Sequence, residues 1–128
     1  MNHKIFKISY QVYPFDVLVC IGSTMEEILK YLDSKYGIVL QEDDKVLLEL
    51  NGEGKTLMLD SNQTILRLKK LNKTAESLGY LTHEVFHAVD MLFRKINIRL
   101  SEDSDEAYAY AIQYLVKEIY NSHFPVNR

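Results

Sequence analysis

Cysteine is nearly absent: one, Cys20, stands among 128 residues. A single cysteine forms no internal disulfide. Cys20 also lies in the apolar run Val17-Leu18-Val19-Cys20-Ile21, where a small buried thiol and a reducing cytoplasm, of a bacterium or a phage-infected host, are expected. Basic runs are short too, none longer than Lys69-Lys70, and the net charge is −3. Such a chain has no electrostatic footprint for a phosphate backbone, so nucleic acid is not an expected partner. No apolar run approaches the roughly twenty residues that would span a bilayer. The opening Met1-Asn2-His3-Lys4-Ile5-Phe6-Lys7 alternates in polarity, so neither an export signal nor a membrane anchor is expected. Repeats and low-complexity segments are missing as well. What remains is 47% hydrophobic and 26% charged, ordinary globular values at 14.9 kDa. One domain over residues 1–128 is expected, with any active site a shallow cleft.

The pattern along the chain predicts an α+β fold. From Ile5 to Ile21 the residues alternate and are rich in Ile, Tyr and Val, with a break at Pro14-Phe15-Asp16, which suggests two strands or one kinked strand. Ser23 and Thr24 offer N-caps, acids follow in the first turn, and Gly37 suits the stop of a helix over about 24–36. Two apolar runs, 46–50 and 56–60, flank Asn51-Gly52-Glu53-Gly54-Lys55 and predict a hairpin, and Thr64–Leu68 adds a further strand. The triplet Gly54-Lys55-Thr56 superficially resembles a phosphate-binding loop. It leads into a strand, and Glu49 stands where the first glycine belongs, so a nucleotide site is rejected. The expected sheet is small and mostly antiparallel, with a strand-rich first half, residues 1–70, holding one helix.

Residues 71–122 are expected to be two helices, followed by a tail over 123–128. Turning 100° per residue from His83, Leu78, Leu81, Val85, Ala88, Val89, Leu92 and Ile96 gather on the opposite side. His87, Asp90 and Arg94 share the His83 stripe. A second helix over about 104–121 places Tyr108, Ile112, Leu115 and Ile119 opposite Glu106, with Tyr110, Gln113 and Lys117 on the Glu106 stripe. Residues 97–103 are a short connection that can fold one helix back on the other, and Pro125 ends the last helix.

Leu81-Thr82-His83-Glu84-Val85-Phe86-His87 holds a His-Glu-x-x-His pentad, and Glu106 follows. On a helix His83 and His87 lie one turn apart on one face, so both imidazoles can reach one metal ion. Glu84 is rotated off the metal, where its carboxylate suits a general base. Two imidazoles and the Glu106 carboxylate would leave a fourth zinc position open for water, the mark of a catalytic site.

Each residue also has a plainer reading. The histidines read as surface or core-edge side chains, and Glu84 as a solvated charge. Glu106 suits the first turn of a helix after Ser104 without any metal, and Glu102 competes for its role as ligand. Asp90 is either a hydrogen-bond acceptor for a ligating imidazole or the partner of Arg94 in an i,i+4 pair. Tyr110, one turn beyond Glu106, either stabilises an oxyanion or packs. Tyr108 is expected to pack, His123 to be solvated, and Met58, Met91, Phe86 and Phe93 to fill the core. Iron, cobalt, manganese and nickel also suit such ligands. The oligomeric state is not legible.

At these residues the chain resembles the gluzincin class of zinc metallopeptidases, in which His-Glu-x-x-His is followed on a second helix by a glutamate ligand, often after Asn or Asp. The counterpart here is Asp105-Glu106-Ala107. Leu81 to Asp90 and Asp105 to Tyr110 also look like small metallopeptidase-like proteins encoded by bacteriophages and prophages. The resemblance covers about residues 72–120. It implies a minimal zincin-like domain with one zinc per chain on His83, His87 and Glu106, Glu84 as base, Asp105 supporting a ligand histidine, and a peptide or protein substrate lying along a sheet edge beside the zinc helix. Thermolysin-like members place an aspartate where this chain has Tyr110, and larger members carry a separate oxyanion domain that is not found here. The expected activity is therefore zinc-dependent peptide-bond hydrolysis. The alternative is a non-catalytic, zinc-stabilised binding or regulatory module, and a helical domain without metal is a third reading.

Overall fold

The computed structural model describes residues 5–125. The expectations placed on Met1 to Lys4 and on residues 126–128 lie outside them. Strand β1 (Ile5–Tyr10) and strand β2 (Phe15–Ile21) form an antiparallel hairpin, Ile5 opposite Cys20 and Tyr10 opposite Phe15, so the break at Pro14 is a turn between two strands. Helix α1 (Met25–Tyr36) begins at Thr24, whose hydroxyl accepts from Glu27 N at 3.1 Å while the Glu27 carboxylate accepts from Thr24 N at 2.9 Å. This reciprocal cap satisfies two otherwise orphaned donors. Gly37, at φ 64°, closes the helix in the left-handed conformation open to glycine.

The predicted hairpin of 46–50 with 56–60 is not formed. Residues 42–48 are helix α2 (Glu42–Leu48), and the first half carries two helices. Its missed signal is Glu42-Asp43-Asp44 in the first turn, where acids meet the positive helix end. The run Val46-Leu47-Leu48 has no period to tell strand from helix, and only Leu48 is buried while Val46 and Leu47 face out. Strand β3 (Gly54–Met58) pairs instead with strand β4 (Thr64–Leu68), Gly54 opposite Leu68 and Met58 opposite Thr64. The sheet order is β1-β2-β4-β3. Its central pair, β2 with β4, is parallel, so the sheet is mixed, with antiparallel pairs on either side.

Both faces of the sheet are covered. Val17, Val19, Ile21, Leu66 and Leu68 pack with helix α3 (Ala75–Lys95) and helix α4 (Asp105–His123), while Leu18, Cys20, Leu57 and Ile65 pack with α1 and α2. Full burial of β4 follows from that double cover. Arg67 is the charged exception. Its guanidinium donates to the main-chain oxygens of Leu48 at 2.6 Å and Ser23 at 2.7 Å, fastening the end of α2 and the approach to α1.

Helix α3 starts at Thr74, whose hydroxyl accepts from Ser77 N, and ends before Asn97, which takes φ 62°. Leu81, Val85, Ala88, Val89 and Leu92 are buried as the helical period predicts. Leu78 and Ile96, near the two ends, are more than a third exposed. Two further expectations are corrected. His123 is buried, 5% exposed, against the ring of Phe124 on the last turn of α4, and Phe86 is exposed while Phe93 alone fills the core. Among the described residues no helix is long and apolar enough to cross a membrane.

Candidate metal and peptide site

The His83 stripe of α3 faces away from the sheet, so both imidazoles are exposed. Their Nε2 atoms stand 3.3 Å apart, with the rings tilted at 75°. Two nitrogens at about 2.05 Å from one zinc, at the tetrahedral angle, are separated by about 3.3 Å. The pair therefore has the bite of two ligands on one ion. Without an ion, an Nε2–H of one neutral ring can donate to the other.

Glu84 points the other way, toward the sheet, and is 7% exposed. The Thr56 hydroxyl lies 2.8 Å from Glu84 Oε1 and 3.0 Å from the Glu84 main-chain oxygen. A cleft of about 570 Å³ opens between α3 and the start of β3, lined by His83, Glu84, Glu53, Gly54, Glu76, Gly79 and Tyr80. Tyr80 donates to Glu76 Oε1 at 3.4 Å, and the Glu76 charge pushes the phenol pKa up.

Beside this cleft β3 is an edge strand. Glu53 O accepts from Lys69 N, and Leu59 N donates to Gln63 O, both at 2.9 Å. The pairing therefore turns residues 53, 55, 57 and 59 toward β4. By the alternation of an antiparallel ladder, the main-chain N–H and C=O of Gly54, Thr56 and Met58 point to the open edge. An extended peptide can add there as a further strand, alongside Glu84.

The remaining expected site residues are placed elsewhere. Asp105 and Glu106 open α4 on its exposed side, and among the described residues no three His, Cys, Asp or Glu side chains converge as a metal cluster. The structure brings His83 and His87 together; Glu84 lines one cleft with His83 but turns its carboxylate to Thr56, and among the described residues Glu106 does not join the histidine pair. Asp90 is engaged by Arg94 Nε at 2.9 Å and by the Tyr108 hydroxyl at 3.1 Å. Tyr108 itself is buried, as expected, with its pKa pushed up first by burial and then by its hydrogen bond to Asp90. Tyr110 lines a different cleft, of about 490 Å³, with Tyr10, Tyr13, Gln113, Tyr114 and Lys117. Sequence reasoning missed Glu53, Gly54, Thr56, Glu76 and Tyr80. Glu76 and Tyr80 lie seven and three positions before His83, a spacing that the same helical wheel places on the histidine side.

No family model, no curated protein and no solved structure matches this chain.

Proposed function

We propose that the chain is a small zinc-dependent peptidase in which His83 and His87 hold the metal and Glu84 is the general base. The 3.3 Å separation of the two Nε2 atoms carries this reading, because it matches the spacing of two ligands on one tetrahedral zinc. Bound there, zinc would supply a Lewis acid for the scissile carbonyl and lower the pKa of a water. Glu84 takes a proton from the attacking water and passes it to the leaving amine. Thr56, Gly54 and Met58 present their main-chain groups to an extended substrate at the edge of β3. Glu106 is proposed as third ligand. That role requires its side chain, or the first turn of α4, to close on the histidines. The reducing compartment proposed for the chain is the cytoplasm, with peptides or proteins and neither nucleic acid nor membrane as partners.

The test is a peptide-library digest with zinc-loaded protein. Glu84→Gln should keep zinc and lose cleavage, and cleavage retained by that variant removes the base.

The rival reading is a non-catalytic, zinc-stabilised binding or regulatory module. In it the zinc stabilises a binding module that turns nothing over. Chelation would then unfold the domain rather than silence it, because structural zinc contributes folding free energy directly.

A further inference from the structure

We infer that Gly54 and Thr56 are positioning residues for Glu84, a cradle on edge strand β3 that fixes the carboxylate in the cleft that His83 also lines. The inference rests on the reading of Glu84 as the base, and it gives the Gly54-Lys55-Thr56 triplet a role that phosphate binding does not.

A carboxylate 7% exposed on a helix needs a donor, and the Thr56 hydroxyl at 2.8 Å from Oε1 is the one that meets it. The same hydroxyl is 3.0 Å from the Glu84 main-chain oxygen, which already accepts the i+4 amide within α3. A hydroxyl has one hydrogen and two lone pairs. With Glu84 ionised, the hydrogen goes to Oε1, the stronger, charged acceptor. One hydroxyl thus stands within hydrogen-bond distance of both the carboxylate and the main chain of Glu84.

Gly54 supplies the space. A Cβ there would stand 2.8 Å from Glu84 Cγ, closer than side chains approach, and 3.1 Å from both Cδ and Oε2, which is tight. Its φ lies outside the left-handed region, so the backbone does not call for glycine; the neighbouring carboxylate does. The period of two along β3 puts residues 54 and 56 on the α3 face, while Lys55 turns away and its ammonium donates to Glu49 O at 3.2 Å. Glycine and threonine two apart are what this contact requires.

The experiment compares zinc-loaded wild type with Thr56→Val, Thr56→Ser, Gly54→Ala and Glu84→Gln on one fluorogenic peptide taken from the library digest, together with zinc content and thermal midpoint. Misplacing a reacting group by about 1 Å costs on the order of 100-fold in rate. Thr56→Val and Gly54→Ala should therefore lose kcat on that scale with KM and zinc content unchanged, and Thr56→Ser, which keeps the hydroxyl, should return close to wild type. A Thr56→Val enzyme as fast as wild type, beside an inactive Glu84→Gln, overturns the cradle and leaves the peptidase reading standing. Cleavage retained by Glu84→Gln overturns both. Should Gly54→Ala fail to fold, the two Thr56 variants decide. Independently of activity, the Thr56 hydroxyl proton should be visible by NMR in slow exchange and move in Glu84→Gln. A hydroxyl resonance that is unaffected, or absent, overturns the contact.

Discussion

Replacing Arg67 with Met removes the fastening of α2 while leaving an apolar chain of similar length in its place. The guanidinium is 6% exposed and makes two short bonds, 2.6 Å to Leu48 O and 2.7 Å to Ser23 O. Burial lowers its pKa, so part of what the bonds contribute is spent on keeping a charge out of water. Hydrogen bonds to charged groups contribute about 1.5–3 kcal/mol each, and the recovered desolvation brings the net loss to about 2–4 kcal/mol. With an unfolding entropy of about 2.1 cal/mol/K per residue, this chain changes its midpoint by about 4 °C per kcal/mol, so the variant should melt about 7–15 °C below wild type. Calorimetry gives the shift, and hydrogen exchange shows whether the α2 amides lose protection ahead of β2 and β4. A midpoint within about 2 °C of wild type would refute the reasoning, since that corresponds to only about 0.5 kcal/mol. The consequence reaches the site, because α2 leads through residues 49–53 into the edge strand that carries Gly54 and Thr56.

Cys20, 1% exposed, has its thiol pKa pushed by burial up to about 12, with the Arg67 charge pulling back. The folded value lies above the ordinary 9.0, so the buried thiol leaves stability untouched below pH 9; between there and about 12 the unfolded chain releases the proton first, and stability should fall with pH in denaturant titrations beyond the fall seen for Cys20→Ala. Native protein should also resist thiol reagents that label the denatured chain at once, and fast native labelling would contradict this burial. Phe93 is fully buried against Tyr13, Phe15 and Tyr108, the nearest ring centre at 4.8 Å, so Phe93→Ala should cost about 3–5 kcal/mol in urea unfolding; a loss below about 1 kcal/mol would place the core elsewhere. Zinc at about a hundred times its dissociation constant should stabilise the fold by about 2.7 kcal/mol, and His87→Ala should show no such midpoint shift.

The helices were legible where the chain marks their ends. Thr24 with the acids that follow it, Gly37 and the apolar side of α3 are local signals, and each holds in the structure. Strand character before Ile21 and in the run Thr64–Leu68 was legible too, while the choice between two strands and one kinked strand was settled by the pairing of β1 with β2. Helix α2 was not, because Val46-Leu47-Leu48 has no period of its own and its position depends on Arg67, a contact nineteen residues away from Leu48. The parallel pairing of β2 with β4 is likewise a long-range choice that hairpin reasoning does not reach. At the site, the histidine pair follows from a spacing of four on one helix. The Thr56 to Glu84 contact joins residues twenty-eight apart, and the placement of Glu106 depends on how the 97–103 turn sets α4 against α3, neither of which periodicity encodes.

The most direct measurement is the metal content of purified protein by elemental analysis, wild type beside His87→Ala, after zinc is added and the excess removed. The expected result is about one zinc per chain in wild type and none in the variant, since an open catalytic site has three protein ligands and loses its hold with one imidazole gone. Equal zinc in the two proteins, or none in either, would contradict the assignment of His83 and His87 as the metal pair.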